Sequence, residues 1–121
     1  MHFNMHFELK HGLAYGKGDD TELQFEVELR QLTAGDLIDA EAASERVVVT
    51  AKGPVLLSSP SRMGYELLRR TIARIGKING PLPLEMLKTL HQDDLEQIAQ
   101  YADMQRAAAL DTVARVADEG R

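Results

Sequence analysis

Residues 2–10 alternate strictly, with Phe3, Met5, Phe7 and Leu9 on one side and His2, Asn4, His6, Glu8 and Lys10 on the other. This is the two-residue period of a half-buried strand. Residues 22–29 repeat it, with Leu23, Phe25, Val27 and Leu29 against Glu22, Gln24, Glu26 and Glu28. The Gly- and Asp-rich stretch between them, HGLAYGKGDDT (11–21), predicts a loop. The two strands should pair antiparallel, with His6 and Lys10 facing glutamates; each such pair contributes only about 0.2–1 kcal/mol. The loop is too long for a two-residue turn and leaves the register open.

The period changes to that of a helix in SSPSRMGYELLRRTIARIGKINGPL (58–82). Ser59 can accept a bond from an otherwise orphan backbone N–H, and Pro60 suits a first helical position that needs none. On a helical wheel Tyr65, Leu68, Ile72 and Ile75 share a face, with Arg62, Glu66, Arg69 and Lys77 opposite and Arg70 and Arg74 to one flank. Gly76 or Gly80 can end the helix and Pro81 blocks its continuation, so a helix is predicted over 60–75. Upstream, Thr33 and Asp36 have capping-box spacing and predict a helix over 34–44. The β-branched run RVVVTA (46–51), the turn signal Lys52-Gly53-Pro54 and Val55–Leu57 predict a second short hairpin. Val47, Val48 and Val49 run together, so that hairpin is either buried on both faces or laid over a helix. Pro83 opens a further helix over 83–90, where Leu84, Leu87 and Leu90 form a narrow stripe. The last helix runs from about 93 towards 118. Its acidic start favours the positive helix end, although His91 is a poor cap. Leu95, Ile98, Ala99 and Ala102 make its first apolar face and Leu110, Val113, Ala114 and Ala117 a second, with Gln105 and Arg106 interrupting the join.

The fold class is therefore α+β: an N-terminal antiparallel strand pair, with or without a second short hairpin, packed on three to four helices; without that hairpin the protein is mostly helical with one strand pair. The 121 residues suffice for one domain, placed at 1–104, with 105–121 as a helical or partly disordered extension. With no cysteine, neither a disulfide framework nor a thiolate metal site is available. No apolar run approaches membrane-spanning length, and MHFNMHFELK lacks the layout of a signal peptide. A formal charge of −5 disfavours general nucleic-acid binding.

Four groups of residues carry candidate chemistry. His2, His6 and His11 cluster near the N-terminus, but a metal site needs three or four converging ligands, and a solvated strand face explains them. Arg62, Arg69, Arg70, Arg74 and Lys77 form a basic strip that could meet phosphate backbone, pair with neighbouring acids or dock an acidic partner. No aromatic side chains interleave with it for base stacking. The acid clusters Asp19-Asp20 and Asp93-Asp94-Glu96 match neither a calcium loop nor a split carboxylate pair. Ser58, Ser59 and Ser61 lack the Gly-x-Ser-x-Gly frame of a nucleophile elbow. No catalytic, cofactor or metal site emerges. The apolar positions of 93–118 exceed what so small a body covers, so the exposed apolar face of the 84–117 region is expected to contact a partner. Leu87, Leu95, Ile98, Leu110 and Val113, together with Arg62, Arg69 and Arg70 of the basic strip, are the candidate partner-binding residues.

The segments LRQLTAGDLIDAE (29–41), SERVVV (44–49) and GPVLLSSPSRMGYELLRRTIARIGKINGPLPLEMLKTLHQDDL (53–95) together resemble the Mu-like phage tail assembly chaperones. The resemblance covers about half to two-thirds of the chain and rests on the combination of motifs, none of them catalytic. It implies a non-enzymatic protein of the bacterial cytoplasm, absent from the finished virion. Such a protein binds the tape-measure protein, keeps its hydrophobic helices soluble and helps bring tail-tube subunits to it; self-association is open. Helix-in-groove contact is the natural mode for such a role. The rival reading is a small nucleic-acid-associated regulator using Arg62, Arg69, Arg70 and Arg74.

Overall fold

The computed structural model describes residues 4–119, with side-chain surroundings as far as residue 108. The chain runs β1 (His6–Tyr15), a 3-10 turn (Gly18–Asp20), β2 (Glu22–Leu29), α1 (Ala34–Ala43), β3 (Glu45–Thr50), β4 (Gly53–Ser58), α2 (Pro60–Thr71), β5 (Ile72–Ile75), β6 (Ile78–Asn79), α3 (Leu84–Leu87) and α4 (Gln92–Glu119). Strands β1-β2-β5-β6 form one sheet in that order, and β3-β4 a separate two-stranded sheet. The fold is α+β, as the periodicities predict.

Strand β1 is longer than expected, because His11–Tyr15 belongs to it rather than to the loop. A bulge hides this from a simple alternation count. Glu8 pairs with Glu26 and Leu13 with Gln24, so Leu9–Gly12 stand opposite Phe25 alone. Three successive amides of the bulge converge on one carboxylate: Asp94 of α4 accepts from Lys10 N at 2.9 Å, His11 N at 3.1 Å and Gly12 N at 3.1 Å. Gly12 is required here, since its φ is +85° and a Cβ would lie 2.9 Å from the Phe25 ring. The bulge also shifts the inward face of β2. Val27 and Leu29 are buried as expected, but Leu23 and Phe25 are exposed and Gln24 is buried instead. Gln24 accepts from Lys77 N at 3.0 Å, which satisfies its carbonyl.

Both helix-start expectations hold. Thr33 and Asp36 form a reciprocal capping box, and the Ser59 hydroxyl accepts from Arg62 N. Helix α2, however, ends at Thr71, not at residue 75. Ile72–Ile75 become β5 and pair with Val27–Leu29 of β2. The carbonyls at the end of α2 are taken by other segments: Arg30 N donates to Thr71 O at 2.8 Å and Leu82 N to Arg69 O at 3.1 Å. An irregularity in the β2-β5 register lets Ile72 and Ile75, three apart, both point inward, and both are fully buried. Gly76, at φ +56°, turns the chain into β6, where a Cβ would collide with the Gln24 side chain.

The core joins the sheet to α3 and α4 through Leu9, Leu13, Val27, Leu29, Ile72, Ile75, Ile78, Leu82, Leu87, Ile98 and Ala102. Phe7 stacks on Tyr101 with centroids 4.1 Å apart. Buried Gln105 accepts from Met5 N at 2.9 Å, so a residue expected only to interrupt the join between the helix's two apolar faces ties it to the chain's N-terminal side. His91, a poor cap by statistics, does cap α4: its Nδ1 accepts from Asp93 N at 3.1 Å and its carbonyl from Leu95 N at 3.0 Å.

Asp94 is the polar centre of this arrangement. Asp94→Ala strands three amides with no acceptor and should lower unfolding free energy by about 2–4 kcal/mol. A reduced urea midpoint at unchanged m-value tests this; an unaltered midpoint would show that the clamp contributes nothing to stability.

Candidate partner-binding surface

The second hairpin sets the surface chemistry. Its pairings place Val47 opposite Leu56 and Val49 opposite Pro54, so these four residues share one face. Val47 is 66% exposed, Val49 82% and Leu56 62%, which makes this an apolar face open to solvent. The expectation of a hairpin is met; the expectation that it is buried on both faces or laid over a helix is not. On the other face Val48 is half-buried, while Val55 and Leu57 are still exposed. Helix α1 adds exposed Leu37 and Ile38. The base of the hairpin is joined by Ser59 N donating to Ser44 O at 3.1 Å, and buried Ser44 also donates from its hydroxyl to Glu41 O at 2.9 Å.

A second surface flanks exposed Tyr65 on α2. Ser59, Ser61, Arg62, Tyr65, Leu84, Leu87, Lys88 and Leu95 line a groove of about 450 Å³ between α2, α3 and the start of α4. On the other side of Tyr65, α2 and α4 enclose a groove of about 340 Å³ that includes Leu68, Ala99, Ala102 and Arg106.

The candidate residues divide accordingly. Leu87, Leu95 and Arg62 meet around the first groove. Leu87 and Ile98 are core residues, so they supply no free stripe: packing against the sheet consumes that face of the helices. Leu95 is half-buried against the same core. Leu110 and Val113 lie on α4 beyond the residues whose side chains are described.

The arginine strip is an ion-pair network rather than a bare cationic face. Arg69 Nε and Arg70 Nη1 reach Glu66 Oε1 at 2.8 and 2.6 Å, and Arg62 Nε lies 3.7 Å from Oε2. Arg74 pairs with Glu28 at 3.4 Å and Lys77 with Glu22 at 3.0 Å. Glu66 is 2% exposed. Burial pushes its carboxyl upward, but hydrogen bonds from Arg70 and Arg69 outweigh burial and hold it below its ordinary range. Asp36 is likewise held far below the usual carboxylate range, chiefly by its hydrogen bonds to Arg30 at 2.7 and 2.9 Å.

Of the N-terminal histidines, His2 lies outside the described residues and His6 pairs with Glu28 at 3.4 Å, as the strand pairing suggested. His11 leaves that face and stacks on His91. Sequence reasoning missed two features: the open apolar face of the hairpin, whose uninterrupted valines were its only signal, and the His11–His91 meeting, which had none. Among the described residues no helix is long and apolar enough to cross a membrane.

The described surface thus combines an open apolar hairpin face with two grooves flanking Tyr65. Comparison with known proteins gives the family. The chain belongs to the tail assembly protein gp41 family, whose model matches residues 9–121. It is 52% identical over 106 residues to the probable tail assembly protein gp41 of Escherichia phage Mu, covering 85% of this chain and 74% of that one. A match of the same length and identity to the probable tail assembly protein FS-gp41 of the same phage spans 56% of that protein. The Mu-like prophage FluMu protein gp41 of Haemophilus influenzae is 47% identical over 110 residues, covering 90% of this chain and 84% of that one. No solved structure matches. The chain therefore has a role in phage tail assembly.

The Glu66 network generates a prediction about acid stability. Asp36 and Glu66 titrate lower when folded than when unfolded. Their stabilisation is thus present above the unfolded carboxyl values of about 4 and is lost as pH falls through the folded ones. Stability against urea should decline below about pH 4.5. Glu66→Gln should be less stable at neutral pH and show a shallower acid decline. An identical acid slope in the variant would place the acid sensitivity elsewhere.

Proposed function

We propose that this protein is a non-enzymatic tail assembly chaperone that holds apolar segments of the tape-measure protein until tail-tube subunits surround them. It would act in the cytoplasm of the host and stay out of the mature virion. One observation supports this most: the face formed by Val47, Val49, Pro54 and Leu56, with Leu37 and Ile38 also exposed, on a protein of the tail assembly family. Exposed apolar surface of this kind is tolerated where a partner covers it. The reading moves the main contact from the 84–117 stripe to the hairpin, with the Tyr65 grooves as the adjoining surface for a helix. The nucleic-acid reading has less support, because Arg62, Arg69, Arg70 and Arg74 all have carboxylate partners.

The test is co-expression with the tape-measure protein encoded nearest the gene, followed by affinity capture and light scattering of the soluble product. Wild type should keep that protein soluble in a defined complex. Val49→Asp and Leu56→Asp change only exposed positions, so the monomer should melt normally while recovery of the complex falls at least about tenfold, equivalent to 1.4 kcal/mol or more of binding. Equal precipitation with and without this chain would refute the chaperone role. A normal complex with both variants would refute the hairpin as its contact.

A further inference from the structure

We propose that His11, His91 and Asp93 form a binding site for a divalent transition metal, with Zn²⁺ as the matching ion. One ligand atom from each lies within 4.8 Å of the other two, and all three residues are exposed. Asp93 Oδ2 is 3.4 Å from His11 Nε2 and 3.7 Å from His91 Nδ1. Ligands about 2.0–2.1 Å from a tetrahedral zinc stand about 3.3 Å apart, so these two edges are within a few tenths of an ångström of the requirement. The imidazoles stack with centroids 3.6 Å apart and planes 12° from parallel. Closing the third edge needs only a splaying of two partly exposed rings.

The scaffold under the triad is firmer than its exposure suggests. His11 sits in the β1 bulge, whose amides are gripped by Asp94, the next residue after Asp93. His91 is the cap of the same helix, with Nδ1 accepting from Asp93 N. That bond requires Nδ1 to carry a lone pair, the form a metal needs. Binding exchanges this cap bond for a metal bond. Two imidazoles and a carboxylate suit Zn²⁺ better than the hard oxygen-seeking Ca²⁺ or Mg²⁺. Three protein ligands leave one position open to water or to a donor from another molecule. Occupancy would bridge β1 to the start of α4 at the junction that Asp94 already holds.

The test uses the full chain stripped with chelator and titrated with ZnCl₂ by calorimetry, with imidazole resonances followed by NMR. One saturable equivalent per chain is expected, with the His11 and His91 ring signals shifting and His6 unmoved. Zn²⁺ at about a hundred times its dissociation constant should raise the melting midpoint by about 5–10 °C. His91→Ala and Asp93→Asn should each weaken binding more than about tenfold, whereas His6→Ala should not. The NMR readout needs no variant and stands even if one misfolds. Absence of saturable heat, ring signals that do not move, or undiminished binding in a His11→Ala/His91→Ala double variant would each overturn the site.

Discussion

The clamp of Asp94 on the β1 bulge is the contact on which the rest of the structure depends. A strand carrying four residues opposite one cannot satisfy its backbone from the neighbouring strand alone. Asp94 supplies the missing acceptor from a helix distant in sequence, so the sheet and α4 are docked by polar bonds of fixed geometry as well as by apolar burial. Leu9, the first residue of the bulge, and Leu13, just beyond it, both enter the core while Asp94 holds the amides between them. The carboxylate also lies in the first turn of α4, where it meets the positive end of the helix dipole. One side chain thus fixes strand register, helix start and the path of the intervening backbone.

Around that centre the charged residues are largely self-satisfied. Glu66 gathers Arg62, Arg69 and Arg70 on α2, and Asp36 holds Arg30 at the start of α1. A basic strip in the sequence thereby becomes a local network in which three guanidiniums share the single Glu66 carboxylate, so the cluster keeps a net positive charge. Its effect is structural: buried arginine–carboxylate bonds constrain direction more than they add affinity for a third party.

Local chemistry was readable from the sequence where it depends on near neighbours. The capping box at Thr33 and Asp36, the Ser59 cap, the β3–β4 hairpin and the strand pairing of His6 with Glu28 all follow from spacing alone. Errors arose where a bulge imitates another period. Ile72 and Ile75 stand three apart, as on a helix, yet an irregular strand turns both inward. Leu9–Gly12 broke the alternation that would have extended β1 to Tyr15. Leu87 and Ile98 illustrate a different limit. Periodicity shows that a helix has an apolar face but not whether the rest of the chain covers it, and here the sheet does. Val47 and Val49 of β3 had the reverse fate, reading as covered but standing in solvent.

That reversal divides the apolar residues of the molecule into a buried set and an exposed set. The four-stranded sheet, α3 and α4 bury most of their described apolar side chains, although Leu23 and Phe25 stay exposed, whereas the hairpin leaves Val47, Val49 and Leu56 in water on a two-stranded sheet whose outer edges are unpaired among the described residues. Such a surface invites self-association, and unpaired edges add backbone donors and acceptors to the hazard. The chain offsets it with Glu45, Arg46 and Lys52 along the hairpin and with a net charge of −5 over the whole molecule. Like-charged copies repel at long range, while an apolar helix of another protein meets no comparable barrier.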